Sequence, residues 1–147
     1  MSQNSVADKL AKRFFTRDPF VLAEAMNRIV VEKPLNGIRG YYQHVKRCHI
    51  IYVSDRLHGF ERQFVCAHEL GHSILHANFN AMFFDSHTHF VKAKYETEAD
   101  RFALDLVLPD DLFAEYMEMP VAYIANMFGV NEALIESRFI QLGIKTD

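Results

Sequence analysis

The chain has 147 residues, 50% hydrophobic and 24% charged, the balance of one ordinary globular domain with a core that needs no disulfide staples. A net charge of -3 argues against a nucleic-acid binder driven by overall positive charge, and Lys46-Arg47 is the one short basic candidate. The two cysteines, Cys48 and Cys66, have neither C-x-x-C nor zinc-knuckle spacing, so a reduced, cytoplasmic setting is expected. The first residues lack the apolar run of a signal peptide, and no stretch is long and apolar enough to span a membrane.

Val6, Leu10 and Phe14 recur at i, i+4, i+8 and predict a first helix through Phe15. Asp18-Pro19 reads as an N-cap followed by Pro at the first helical position, opening a second helix to about Asn27. Ile29-Val30-Val31 is a short β-branched run closed by Lys33-Pro34, and Asn36-Gly37 signals a turn. Ile38 to Val45 and His49 to Val53 read as two more strands, joined by a tight turn near Lys46-Arg47. Connections this short favour antiparallel neighbours. The expectation is an α+β fold with a small three-stranded antiparallel sheet ahead of the next helix.

That helix runs from Leu57 to Ala77, with Phe64, Ala67, Leu70, Gly71 and Ile74 on one arc facing the sheet. Gly71 weakens it, and close approach of a strand is the expected reason. Residues 78–93 read mostly as loop, with a short strand around His89-Phe90-Val91. Lys94 to Leu108 is helical again, with Tyr95, Ala99, Phe102, Ala103, Leu106 and Val107 on one face. Pro109 ends it, and Pro109-Asp110-Asp111 opens a short helix to about Met117. Two further helices, Val121 to Phe128 and Asn131 to Leu142, flank a Gly129-Val130 turn. The expected organisation is a main domain over 1–117 and a helical pair over 118–147 docked on it.

Within the helix 57–77, His68-Glu69-Leu70-Gly71-His72 is an HExxH motif. Residues four apart share one side of a helix, so His68 and His72 can reach one metal ion. Glu69 lies beside them, placed as a general base. A hydrolytic zinc site needs a third protein ligand. Glu98, Arg101 and Asp105 lie on the polar side of the helix 94–108, where Glu98 is expected to be solvated and paired with Arg101. Glu96 sits at the border of the apolar face, with Asp100 one turn on. His68 and His72 occupy the same border on their own helix, so Glu96 is the expected third ligand. Asp100 is expected to accept a hydrogen bond from the free nitrogen of a ligating histidine.

His76 is one turn beyond His72, but three ligands at i, i+4, i+8 on a straight helix span about 12 Å, too far for one ion. The extended motif HExxHxxGxxH needs Gly where this chain has Leu75, so His76 is expected as a partly buried neighbour. His87 and His89 could bind metal, line a cleft or do neither. Cys66 falls on the core arc as an inert thiol. Tyr41, Tyr42 and Tyr95 are candidates for an oxyanion donor, and the sequence does not decide among them. Zinc suits this ligand set by default, although two histidines and a carboxylate also suit manganese or iron.

These stretches resemble the ImmA/IrrE family of zinc metallopeptidases. The resemblance rests on FVCAHELGHSILH, Phe64 to His76, and on YETEADRFALDLVLP, Tyr95 to Pro109, with PLNGIRGYY ahead of them. The second stretch follows the family pattern E-x-x-A-N/D-x-F-A-x-x-L-L-x-P, with Val107 in place of the usual Leu. The family pattern also puts its third zinc ligand at the position of Glu96. The resemblance implies a zincin-like domain over 1–117 that cleaves or inactivates a helix-turn-helix repressor as a phage or mobile-element antirepressor. The alternative is a zinc-holding module that inactivates the repressor by binding without cleavage. The intact Glu69 favours cleavage, since a purely structural metal site has no use for a base. The tail, with Ile124-Ala125 and Gly129-Val130, has the outline of a helix-turn-helix, but its second helix carries one Arg against two Glu near its start. Direct DNA binding is therefore not expected.

Overall fold

The computed structural model describes residues 5–76 and 89–143. Helix α1 spans Val6–Phe14, capped by the Ser5 side chain, which accepts from the Asp8 amide. The helix stands where the Val6, Leu10, Phe14 spacing predicts it: Leu10 and Phe14 pack against the core, Val6 is exposed, and Ala7, Asp8 and Ala11 are buried beside them. Small alanines let α1 lie close to its neighbour, and Asp8 is buried because it holds Arg17 at 2.6 Å. Helix α2 spans Pro19–Ala25, with the Asp18 side chain accepting from the Phe20 amide.

Three strands follow: β1 Arg28–Lys33, β2 Gly40–Val45 and β3 Cys48–Ser54. Lys46 and Arg47 both have positive φ (49° and 68°), the conformation a tight two-residue hairpin requires, and β2 pairs antiparallel with β3. The sheet as a whole departs from the antiparallel expectation. Its order is β1-β3-β2, and β1 runs parallel to β3. Residues 34–39 reverse the chain direction as a short link should, but carry it past the place of β3 to the far edge. A short connection fixes direction, not adjacency. The centre goes to β3, whose Ile51 and Val53 are fully buried.

Helix α3 spans Gly59–Leu75 and packs on β2 and β3. Helix α4 spans His89–Val107, so His89-Phe90-Val91 form its first turns rather than a strand. The run from 89 to 107 contains neither Gly nor Pro, and good helix formers such as Ala93, Lys94 and Glu96 let it extend. His87 lies outside the described residues. Helices α5 (Asp110–Phe113), α6 (Val121–Phe128) and α7 (Glu132–Gln141) complete the chain, with a 3₁₀ turn over Ala114–Tyr116 after α5. Gly129, at φ 70°, makes the α6–α7 corner.

Helices α3 and α4 form the most extensive helix–helix interface of the fold. Gly71 sits within it, where a Cβ would lie 2.9 Å from the Phe102 ring. The glycine thus serves the approach of a helix, not of a strand. Around it Phe64, Ala67, Leu70, Ala103 and Leu106 are buried in one core.

The C-terminal end of α4 is closed by two arginines from distant parts of the chain. Arg17 donates to the carbonyls of Asp105 (3.0 Å) and Leu106 (3.2 Å). Arg138, from α7, is 2% exposed and donates to the Leu108 carbonyl at 2.8 Å. It also pairs with Asp110 (3.0 Å) and Asp105 (3.5 Å) and lies over the Phe113 ring. Cations at a helix C-terminus answer its unpaired carbonyls and its dipole. Asp105 is therefore buried, not on a solvated side as its spacing suggests. Phe60 and Phe128 meet edge-on and join α3 to α6.

Two stability changes follow, both readable by urea unfolding. Gly71→Ala should cost about 1–3 kcal/mol by overpacking against Phe102. Arg138→Ala should cost about 3–5 kcal/mol, because Asp105 and the Leu108 carbonyl lose their buried cation. Losses under about 0.5 kcal/mol, the range of a neutral surface change, would contradict these packing assignments.

Candidate metal centre

The motif helix presents His68 and His72 one turn apart toward α4, and α4 presents Glu96 and Asp100 back. His68 Nε2 lies 2.9 Å from Glu96 Oε2, and His72 Nε2 lies 3.2 Å from Glu96 Oε1. One carboxylate therefore spans both imidazoles. His68 Nδ1 faces Asp100 Oδ1 at 2.7 Å. His72 Nδ1 faces His76 Nδ1 at 3.0 Å. The structure brings His68, Glu69, His72, Glu96 and Asp100 to one place.

Glu69 is buried beside them, with a carboxylate oxygen 3.9 Å from His68 Nε2. Ligand atoms of His68, Glu69 and His72 all lie within 4.8 Å of one another. Glu96 makes the closer approach to His68 Nε2, at 2.9 Å against 3.9 Å for Glu69. Two imidazoles with their Nε2 atoms turned on one carboxylate, and with both Nδ1 atoms engaged elsewhere, are a donor set that suits a divalent cation such as zinc.

The electrostatics follow from burial and pairing. Burial works against a charge on His68, but the carboxylates of Asp100 and Glu96 outweigh it and raise the imidazole to about 10. Glu96 also resists ionisation through burial, yet hydrogen bonds from His68 and His72 hold it well below the usual carboxylate range. Glu69 moves the other way. Burial raises it, against the pull of His68 and His72. The two carboxylates thus have opposite tendencies, Glu96 held ionised and Glu69 favouring a proton.

A cleft of about 230 Å³ opens over these groups, lined by Arg39, Gly40, Phe64, Val65 and Gly129 as well as His68, Glu69, Glu96 and Asp100. Gly40 opens β2 against α3: a Cβ there would fall 2.7 Å from the Tyr52 carbonyl and 2.8 Å from Val65. Arg39 crosses Gly129, where a Cβ would meet its guanidinium at 2.8 Å. Gly129 thus admits both the left-handed turn and the arginine. Sequence spacing missed Arg39, Gly40 and Gly129, because the cleft joins β2 to the α6–α7 corner across a large sequence distance. The available signals were the turn glycine at 129 and the stretch PLNGIRGYY, which contains Arg39 and Gly40.

Tyr41, Tyr42 and Tyr95 are not among the residues lining the cleft. Tyr41 stacks on Tyr52, the Tyr42 hydroxyl meets His49 Nδ1, and Tyr95 stacks on His76. Glu98 turns to His76 Nε2 at 3.5 Å rather than to Arg101. Cys66 is fully buried, and burial pushes its thiol up, so it is not poised to react.

Fold and site together define an α+β domain built on an HExxH helix and a carboxylate-bearing partner helix. The chain belongs to the IrrE N-terminal-like domain family, Peptidase_M78, whose sequence model matches residues 23–139. It is 39% identical over 129 residues to the uncharacterized immunity region protein 2 of Bacillus phage phi105, covering 86% of this chain and 82% of that one. It is 27% identical over 134 residues to the metallopeptidase ImmA of Bacillus subtilis (strain 168), covering 87% and 78%. A solved structure of a Mycobacterium tuberculosis transcriptional regulator shares the fold, with a TM-score of 0.52 at 20% identity. The match covers 90% of this chain and 46% of the regulator, so this chain corresponds to under half of that protein's length. The family implies a metal. No helix among the described residues is long and apolar enough to cross a membrane.

Metal content after dialysis against zinc is expected to separate the two glutamates. Glu96→Ala should lose the ion and Glu98→Ala should keep it, measured by atomic absorption. Loss in the Glu98 variant alone would contradict the choice of Glu96.

Proposed function

We propose that this chain is a zinc-dependent endopeptidase that cleaves or inactivates one regulatory protein, a helix-turn-helix repressor, and so acts as a cytoplasmic antirepressor. The observation that carries the reading is the convergence of His68 Nε2 and His72 Nε2 on the Glu96 carboxylate at the base of a cleft that also holds Glu69. The similarity to a metallopeptidase and to a phage immunity-region protein supports the regulatory part.

In this reading His68, His72 and Glu96 hold the zinc ion, and Asp100 orients His68 through Nδ1. Bound zinc supplies Lewis acidity to the scissile carbonyl and to the attacking water. Glu69 does the proton work. Its carboxylate takes a proton from the water as the oxygen attacks the carbonyl carbon. The resulting carboxyl then gives that proton to the leaving amine as the C–N bond breaks. Burial suits Glu69 to the second half, because it stabilises the protonated form. Residues 1–117 carry all of these groups, and the segment 118–147 adds Gly129 to the cleft wall.

Glu69→Gln tests this directly. The variant should keep one zinc per chain, fold normally and lose at least about 10²-fold in cleavage of the co-incubated repressor, the scale of general-base catalysis. Full relief of repression by a zinc-loaded Glu69→Gln protein would instead support inactivation by binding alone.

A further inference from the structure

His72 differs from His68 in what holds its second nitrogen. His68 Nδ1 is held by a carboxylate, Asp100. His72 Nδ1 is held by another imidazole, His76 Nδ1, at 3.0 Å. Two imidazole nitrogens at that distance need one proton between them, so one donates and the other accepts. A histidine that gives its Nε2 lone pair to a metal carries its proton on Nδ1. His72 must then be the donor and His76 Nδ1 the acceptor. The proton of neutral His76 is thereby placed on Nε2, and that atom faces Glu98 Oε1 at 3.5 Å. The ring has little freedom to choose otherwise. It is 8% exposed and stacks on Tyr95 at 4.1 Å with an interplanar angle of 18°.

We propose that His76 is a positioning residue for the metal centre: it accepts the Nδ1 proton of His72 and so fixes that ring with Nε2 toward the metal. This inference rests on the reading of His72 as a ligand. It gives a role at the centre to His76, the residue that caps α3 and that its spacing from His68 and His72 keeps from being a third ligand. It also gives α4 a second task, since the same helix supplies Glu96 to both Nε2 atoms, Asp100 to His68 and Glu98 to His76.

The test is zinc affinity, read by competition with a chromophoric chelator, with zinc alone as the probe. His76→Leu should weaken binding about 10–100-fold, the usual effect of removing a hydrogen-bond partner behind a ligand. His76→Asn should stay within about threefold of the unaltered protein, because Asn Oδ1 can stand where Nδ1 stood and accept the same proton. A role in packing alone predicts the reverse order, since Leu fills a buried site better than Asn. A second readout needs no variant: ¹⁵N shifts of the zinc-loaded protein should show His76 protonated on Nε2. Tight binding by His76→Leu, or His76 protonated on Nδ1, would overturn the inference. A His72→Ala control separates the two levels. If it weakens binding while His76→Leu does not, the ligand reading stands and the role of His76 falls. If it binds like the unaltered protein, both fall.

Discussion

Everything at the candidate centre depends on how closely α3 and α4 approach, and that is set where Gly71 faces Phe102. Any side chain at 71 would collide with the ring. With none, the helices come near enough for imidazoles on one to hydrogen-bond carboxylates on the other. The glycine weakens α3 locally, by about 1 kcal/mol relative to Ala. The burial of Ala67, Leu70, Phe102, Ala103 and Leu106 around it more than offsets this. The same residue therefore serves packing and placement, and the site is a property of the interface rather than of the motif helix alone.

That interface carries an electrostatic load that only pairing makes tolerable. His68, His72, His76 and Glu69 are all largely removed from water. Isolated buried charges would be costly. The imidazoles of His68 and His72 on α3, and of His76 at its C-cap, each instead meet an acidic residue on α4, through Glu96, Glu98 and Asp100. The far end of α4 is held as firmly. Arg17 and Arg138 close its carbonyls from opposite ends of the chain, which fixes the helix along its axis. Rigid support of this kind is what a preorganised site requires.

Much of this is legible in periodicity. His68 and His72 border the apolar arc of one helix, and Glu96 and Asp100 border that of the other. Their adjacency follows once two such helices pack face to face. The strands and the tail helices are equally plain in β-branched runs and turn residues. What periodicity does not carry is who neighbours whom. The β1–β3 pairing was hidden because a six-residue link reverses a chain without choosing its partner. The burial of Asp105 was hidden because Arg138 reaches it from 33 residues away. The stripe Val6, Leu10, Phe14 marks the first helix, although the residues most deeply buried on it are Ala7, Asp8 and Ala11 beside the stripe. The cleft wall of Arg39, Gly40 and Gly129 exists only in three dimensions.

The most direct measurement is an anomalous difference map at the zinc edge from crystals grown with zinc. A single strong peak is expected within bonding distance of His68 Nε2, His72 Nε2 and a Glu96 oxygen, on the side open to the cleft. A strong peak bound elsewhere, with none between these three residues, would contradict the proposed centre.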